Sequence, residues 1–140
     1  MALWAIKVKP MTGRVLSPNL DQSDKLLFCV QIDKSQFVSE PSETPGGFPS
    51  WHGEVVFELP MAKRITMGVH NGEVSMGYID ILTEKVVYAE GALEETLSLM
   101  DYFGRNAGEV RVVVERVRLS DRQTLSRAHA FQPYIPPQTS

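Results

Sequence analysis

The sequence holds a single cysteine, Cys29, among 140 residues. One thiol forms no internal disulfide and excludes any metal site built on several thiolates. No apolar run approaches the roughly 20 residues that cross a bilayer as a helix. Met1 to Lys7 place no basic stretch ahead of their apolar side chains and reach a lysine at once, the wrong pattern for a secretory leader. A large charge excess is also missing. Fourteen Lys and Arg against 17 Asp and Glu leave a net charge of -3 at pH 7. The chain as a whole therefore has no electrostatic hold on nucleic acid, where affinity depends on neutralising phosphates. The three histidines, His52, His70 and His129, never fall at the spacing of paired metal ligands. There is no glycine loop ahead of a helix to cradle a phosphate, no nucleophile elbow, and no carboxylate pair whose spacing argues for acid–base work. Cys29 lies inside an apolar stretch, where a thiol acts as a packing residue rather than a nucleophile. These absences predict a domain that is not an enzyme, with no metal and no cofactor, in a cytoplasmic setting.

What the sequence does have is alternation. Hydrophobic residues make up 43% and charged residues 22%, enough apolar material for one core in a chain of this length. Trp4, Ile6 and Val8 share one face of a short run, with Lys7 and Lys9 on the other. The same period of two returns in Phe28-Val30-Ile32, Val55-Phe57-Leu59, Ile65-Met67-Val69, Ile79-Ile81, Leu97-Leu99 and Val110-Val112-Val114. Residues 35–39, with Phe37 and Val38, make a weaker eighth run. Side chains of a strand point alternately to opposite faces, so each run reads as a strand with one buried side. Turn formers separate them: Ser17-Pro18-Asn19, the long flexible break from Pro41 to Gly47, His70-Asn71-Gly72-Glu73, and Arg105-Asn106-Ala107-Gly108. Eight short strands with such punctuation predict an all-β, eight-stranded antiparallel sandwich.

Two stretches carry helix formers. Gly91 to Thr96 allows a turn or two, and Ser120-Asp121-Arg122-Gln123 resembles a capping box that starts a weak helix towards Ala130. From Phe131 to Ser140, prolines without N–H donors exclude helix and central strand, so the end reads as a linker. The expected organisation is a sandwich over residues 1–119, followed by a weak helix and a proline-rich tail over residues 120–140. A linker there suits the N-terminal module of a larger scaffold protein.

In this order the strands resemble a C2 domain across about residues 2 to 118. The most diagnostic stretch is Phe48-Pro49-Ser50-Trp51-His52-Gly53-Glu54-Val55-Val56-Phe57, a Pro-x-Trp followed by an alternating strand with a central Phe. Leu26 to Ile32 looks like the strand after the first apical loop, and Ile65 to His70 like the strand leading into the third. Met76-Gly77-Tyr78-Ile79-Asp80-Ile81 and Gly108-Glu109-Val110-Arg111-Val112 are similar to two further family strands. The Gly-led strand comes last, which implies the circularly permuted, type II order. The Trp after Pro49 is expected in the core, plugging the open end between the sheets.

The resemblance implies an interaction or targeting module and directs attention to the apical loops. Calcium-binding members hold the ion with loop aspartates, because calcium takes six to eight hard oxygen ligands. Here the first loop offers Asp21 and Asp24, and the third offers His70, Asn71 and only Glu73. Imidazole nitrogen suits zinc or copper better than calcium. The two aspartates are expected to bond their own turn backbone, and no tight calcium site is expected; residual sensing through Asp21, Asp24 and Glu73 is a minor alternative. Docking on anionic lipid through a basic face needs clustered lysines, each contributing about 1 kcal/mol. Residues 25–59 supply Lys25 and Lys34 against Asp33, Glu40, Glu43, Glu54 and Glu58. A basic surface would have to come from Lys7, Lys9, Arg111, Arg116 and Arg118. The leading expectation is a calcium-independent module that binds a protein partner through Phe48, His70, Asn71 and Glu73, at a cytoskeletal or membrane surface. The alternative is a peripheral module on anionic phospholipid, inserting Leu20 or Val74. Self-association through an unpaired edge strand stays open.

Overall fold

A computed structural model describes residues 3–18, 20–32, 35–58, 63–87, 91–119, 128–129 and 131–133. The eight alternating runs are strands: β1 (Leu3–Val15), β2 (Leu27–Ile32), β3 (Ser35–Ser39), β4 (Glu54–Glu58), β5 (Arg64–Asn71), β6 (Val74–Leu82), β7 (Leu93–Met100) and β8 (Asn106–Leu119). A short helix, α1 (Thr83–Val87), follows β6, and two brief strands, β9 (Ala128–His129) and β10 (Phe131–Pro133), close the series. All pairings are antiparallel, in the order β10-β3-β2-β5-β6-β7-β8-β1-β4-β9.

The order divides naturally in two. Between β6 and β7 the register is a single pair, Tyr78 with Met100, so one half is built on β3-β2-β5-β6 and the other on β7-β8-β1-β4. The halves face each other across one core. Phe28, Val30, Ile65, Met67 and Val69 come from the first; Ile6, Val8, Val55, Val110 and Val112 come from the second. These residues are 1% exposed or less, and their removal from water is the main force holding the two faces together. The last long strand, β8, lies beside β1 over nearly its whole length, from Leu3–Leu119 to Val15–Gly108. That is the permuted order the sequence implied.

Gly108 shows why this strand opens with glycine. Its φ is 128°, and a Cβ built there would sit 2.0 Å from the Arg14 carbonyl oxygen of β1. No side chain fits that approach. Trp51 lies in the core as expected: its ring packs against Phe28 at 5.5 Å between centroids, and its indole N–H donates to the Leu26 carbonyl at 3.0 Å.

Two expectations are corrected. Gly91 to Thr96 is not helical: from Leu93 it belongs to β7, where Leu93, Leu97 and Leu99 turn inward and pair along β8. Cross-strand burial overrides the helix propensity of Leu and Glu there. The one helix among the described residues is instead Thr83–Val87, seated by the buried Val86. The boundary at residue 119 is also crossed. β9 pairs with the free edge of β4, through Glu54–His129 and Val55–Ala128, and β10 with the free edge of β3, through Phe131–Ser39 to Pro133–Phe37. The segment expected as linker thus contributes edge strands, a sheet position that accepts proline. The helix expected from Ser120, and the end beyond Pro133, lie outside the described residues.

Candidate interaction surface at the apical loops

Strand directions gather four connections at one end of the sandwich: residues 16–26 between β1 and β2, 40–53 between β3 and β4, 72–73 between β5 and β6, and 101–105 between β7 and β8. The third is minimal. Asn71 pairs with Val74, leaving a two-residue turn with Gly72 at φ 62°, the left-handed value that tight hairpins require of glycine.

The first loop is organised by its aspartates. Asp21 Oδ1 accepts from the N–H and the hydroxyl of Ser23, both at 3.0 Å, and these bonds, the backbone one foremost, hold the Asp21 carboxyl below its ordinary range. Asp24 Oδ2 accepts from the Asp21 N–H at 2.9 Å and from the side-chain amide of Asn71 at 2.8 Å. The Asp24 carbonyl accepts from the Gly46 N–H at 2.8 Å. Asp24 therefore joins three loops, and both aspartates bond turn backbone, as their spacing suggested. Among the described residues no group of three or more His, Cys, Asp or Glu is placed to hold a metal ion.

The second loop is not the flexible break expected from its sequence. Ser42 is 1% exposed; its hydroxyl accepts from the N–H groups of Ser50 at 2.9 Å and Thr44 at 3.2 Å, and the Thr44 hydroxyl donates to the Phe48 carbonyl at 2.7 Å. Gly13 and Val15 of β1 donate to the carbonyls of Pro49 and Gly47. Serine and threonine side chains have replaced the ladder that the prolines deny. His52 sits between Glu43 and Glu40, at 2.5 and 3.7 Å.

Of the residues singled out from the sequence, Phe48 stands 71% exposed at the second loop. Glu73 is exposed in the turn, and Asn71 is committed to Asp24. His70 is half-buried at the end of β5, and burial pushes its imidazole below the ordinary value. Val74 is exposed, whereas Leu20 packs against the core. The five basic residues divide between two faces. Lys7, Lys9 and Arg111 share the outward parity of β1 and β8; Arg116 and Arg118 share the inward parity of Val112 and Val114, near the opposite end of the sandwich. Lys7 lies 2.5 Å from Glu115 and 3.7 Å from Glu54, a setting that raises its pKa chiefly through the Glu115 bond. Arg111 pairs with Glu94, and the Arg116 guanidinium lies 4.5 Å from the Trp4 ring centroid. Cys29 is buried, and desolvation pushes its thiol up to about 12, the setting of an inert thiol.

The reading of the sequence passed over the fourth loop. Tyr102 and Phe103 are each 81% exposed at its tip. Asp101 fixes the loop from within. Its Oδ1 accepts from the N–H groups of Phe103 and Arg105 at 2.8 and 2.9 Å, its Oδ2 accepts from Arg105 Nε at 3.1 Å, and its own N–H donates to the Arg105 carbonyl at 3.0 Å. The backbone bond from Arg105 leads the causes that hold the Asp101 carboxyl below its ordinary range. The Tyr102 ring rests 6.2 Å from Tyr78, and the Arg105 guanidinium lies 4.9 Å from the Phe103 centroid. A signal was present: two adjacent aromatics before a glycine, outside any alternation, cannot both be buried by a strand. Leu16 and Met100 add exposed apolar surface at the same end. A groove lined by Leu16, Pro18, Asn71, Val74, Met76 and Arg105 runs between the first, third and fourth loops.

Charge is distributed unevenly about these loops. Asp21, Asp24, Glu40, Glu43, Glu73 and Asp101 face Lys25 and Arg105, a balance of -4 with histidine neutral, while the whole chain carries -3. The apical end therefore holds more than the entire net charge, and the remainder is slightly positive.

No family model matches the chain, and no curated protein matches it. Solved structures do. A C2 domain-containing protein aligns over 79% of this chain and 86% of its own, at 14% identity and a TM-score of 0.67. The C2A domain of plant extended synaptotagmin 1 aligns over 86% of this chain and 99% of its own, at 13% identity and 0.66. A calcium-bound structure of the C2A and C2B domains of extended synaptotagmin 2 aligns over 85% of this chain and 44% of its own, at 11% identity and 0.67. At these identities the likeness is one of fold.

Proposed function

We propose that this chain, which has the C2-domain fold, is a calcium-independent interaction module that docks on a protein partner through its apical end and serves as a targeting or scaffolding arm. The observation that carries this reading is the bond from the Asn71 amide to Asp24, beside a third loop reduced to two residues. Calcium needs six to eight oxygens, several of them from carboxylates. Here one carboxylate of the first loop is engaged by an amide, and the third loop contributes only Glu73. The extended synaptotagmin 2 pair was recorded with calcium; in this chain the first and third loops offer three carboxylates, Asp21, Asp24 and Glu73.

The competing reading is a peripheral module on anionic phospholipid. A balance of -4 across the apical loops works against it, because like charge repels. On the outward face of β1 and β8, Lys7 and Arg111 are engaged by Glu115 and Glu94. No helix among the described residues is long and apolar enough to cross a membrane.

Calorimetric titration with calcium to millimolar levels, joined to flotation of phosphatidylserine-containing vesicles with and without calcium, tests the proposal. No calcium heat and no flotation in either condition is the expected result. Saturable calcium heat lost in Asp24→Asn, or flotation that weakens as salt rises, would overturn it in favour of an ion-dependent or a lipid-docking module respectively.

A further inference from the structure

Two large aromatic side chains, almost wholly in water, stand on a loop that a single carboxylate holds rigid. We infer that the apical end recognises a cationic, arginine- or lysine-rich extended segment of a partner protein, with Tyr102 and Phe103 as its anchors. This rests on the protein-docking reading above and names the chemistry of the partner.

Aromatic anchors presented without conformational freedom lose little entropy on binding, and Tyr, Trp and Arg dominate the energetics of protein interfaces. The Asp101 side chain provides that rigidity through three accepted hydrogen bonds. Charge then selects the occupant. The two rings project beside loops whose balance is -4, a field that raises the local concentration of cations and repels acidic peptides, nucleic acid and anionic bilayers. The ring face itself accepts a guanidinium, as Arg105 already shows on Phe103 at 4.9 Å. An incoming arginine finds the same chemistry on the exposed rings of Tyr102 and Phe103. Its aliphatic neighbours find the groove walled by Leu16, Pro18, Val74 and Met76. Glu73 is exposed in the turn between Asn71 and Val74, both on the groove wall, and Glu43 is an exposed carboxylate of the second loop at the same end, paired with His52.

The test is fluorescence anisotropy of the full chain against three short labelled peptides of serine and leucine, with arginine and lysine, glutamine, or glutamate at the remaining positions. The cationic peptide is expected to bind, weakening as salt rises from about 50 to 300 mM. The glutamate peptide is expected not to bind. Tyr102→Ala with Phe103→Ala should weaken cationic binding at least about tenfold, and Glu43→Gln with Glu73→Gln by a few fold. All four side chains are exposed, so folding is not at stake, and a far-UV melt verifies this. If the glutamine peptide binds as tightly with the same dependence on Tyr102 and Phe103, protein docking stands and the cationic inference falls. If cationic binding ignores the aromatic substitutions, the attraction is diffuse and the inference also falls. Flotation of zwitterionic vesicles that requires Phe103, with no peptide bound, overturns both this inference and the reading beneath it.

Discussion

The side-chain amide of Asn71 donates to Asp24 across 47 residues of sequence, at 2.8 Å. This bond ties the turn after β5 to the loop before β2. Asn71→Ala removes the donor but leaves Asp24 its bond from the Asp21 N–H, and the site is open enough for water to replace the amide. The expected loss is therefore about 1 kcal/mol, read as a lower urea midpoint at unchanged slope. Asn71→Asp is worse at neutral pH, because it sets a second carboxylate against Asp24. The repulsion raises a carboxyl pKa in the folded state, so this variant should regain stability relative to Asn71→Ala as pH falls towards 4. No difference between the two variants at pH 7 would mean that the contact is not made in solution.

Gly108 sits where β8 starts beside the end of β1. Ala at this position would place its Cβ 2.0 Å from the Arg14 carbonyl, at a φ of 128° that L residues rarely adopt. Neither neighbour is a flexible side-chain tip, so the strands must part. Gly108→Ala should cost more than about 2 kcal/mol. Gly72→Ala, in a turn with nothing within 4 Å of the added carbon, should cost only about 1 kcal/mol from its φ. Urea melts of the two variants measured together check the ranking; equal losses would place the strain elsewhere.

The contrast between these glycines shows what the sequence could and could not reveal. All eight strands were legible because each has one buried face, and burial writes a period of two into Val110-Val112-Val114 or Ile65-Met67-Val69. The permuted order was legible through the Gly-led strand alone, whose glycine the Arg14 backbone explains. Leu93 to Thr96 misled because Leu and Glu favour helix in isolation, and only the presence of β8 alongside makes a strand of them. The edge strands at residues 128–133 left no pattern, since two or three residues cannot show a period. At the apical end, Asp21 and Asp24 were readable as turn residues, but the Asn71 partner comes from 47 residues away. At the aromatic tip, Tyr102 and Phe103 before Gly104 mark only a break in the alternation; their exposure follows from the Asp101 bonds that shape the loop, which adjacent residues do not spell out.

His70 gives the domain a pH response. Burial holds its imidazole below the ordinary value of 6.5. The unfolded chain therefore takes up the proton more readily than the folded one. Stability is unaffected well above 6.5 and declines as pH falls through that value towards the lowered folded pKa. His70→Gln removes this contribution, so its loss of stability between about pH 7.5 and about pH 5.5 should be smaller than that of the parent chain. Asp21 and Asp101 act in a separate window: both are held below 3.8, so their contribution persists above that value and fades only below it. Parallel thermal melts of the two proteins across the His70 window decide the matter; identical pH slopes would assign the response to another group.

The strands β9 and β10 cover two edges at once, because only Ala130 separates the residue beside β4 from the residue beside β3. An uncovered edge presents N–H and C=O groups that water satisfies poorly once another sheet is near, and it invites pairing between molecules. A chain ending at Leu119 loses five register pairs of edge ladder. The stability lost should be on the order of 2 kcal/mol, since each net hydrogen bond contributes about 1 kcal/mol and short strands fray. The greater effect should be on association. The shortened chain should elute as a concentration-dependent mixture of monomer and dimer in light-scattering chromatography, while the full chain stays at one mass. Charged substitutions on the exposed edge, such as Gln36→Lys on β3, should restore the single mass without restoring the lost stability. If shortening lowers stability but leaves the mass unchanged at every concentration, the tail is a fastening and not a guard on the edges. If neither quantity moves, the strands at residues 128–133 are not paired in solution.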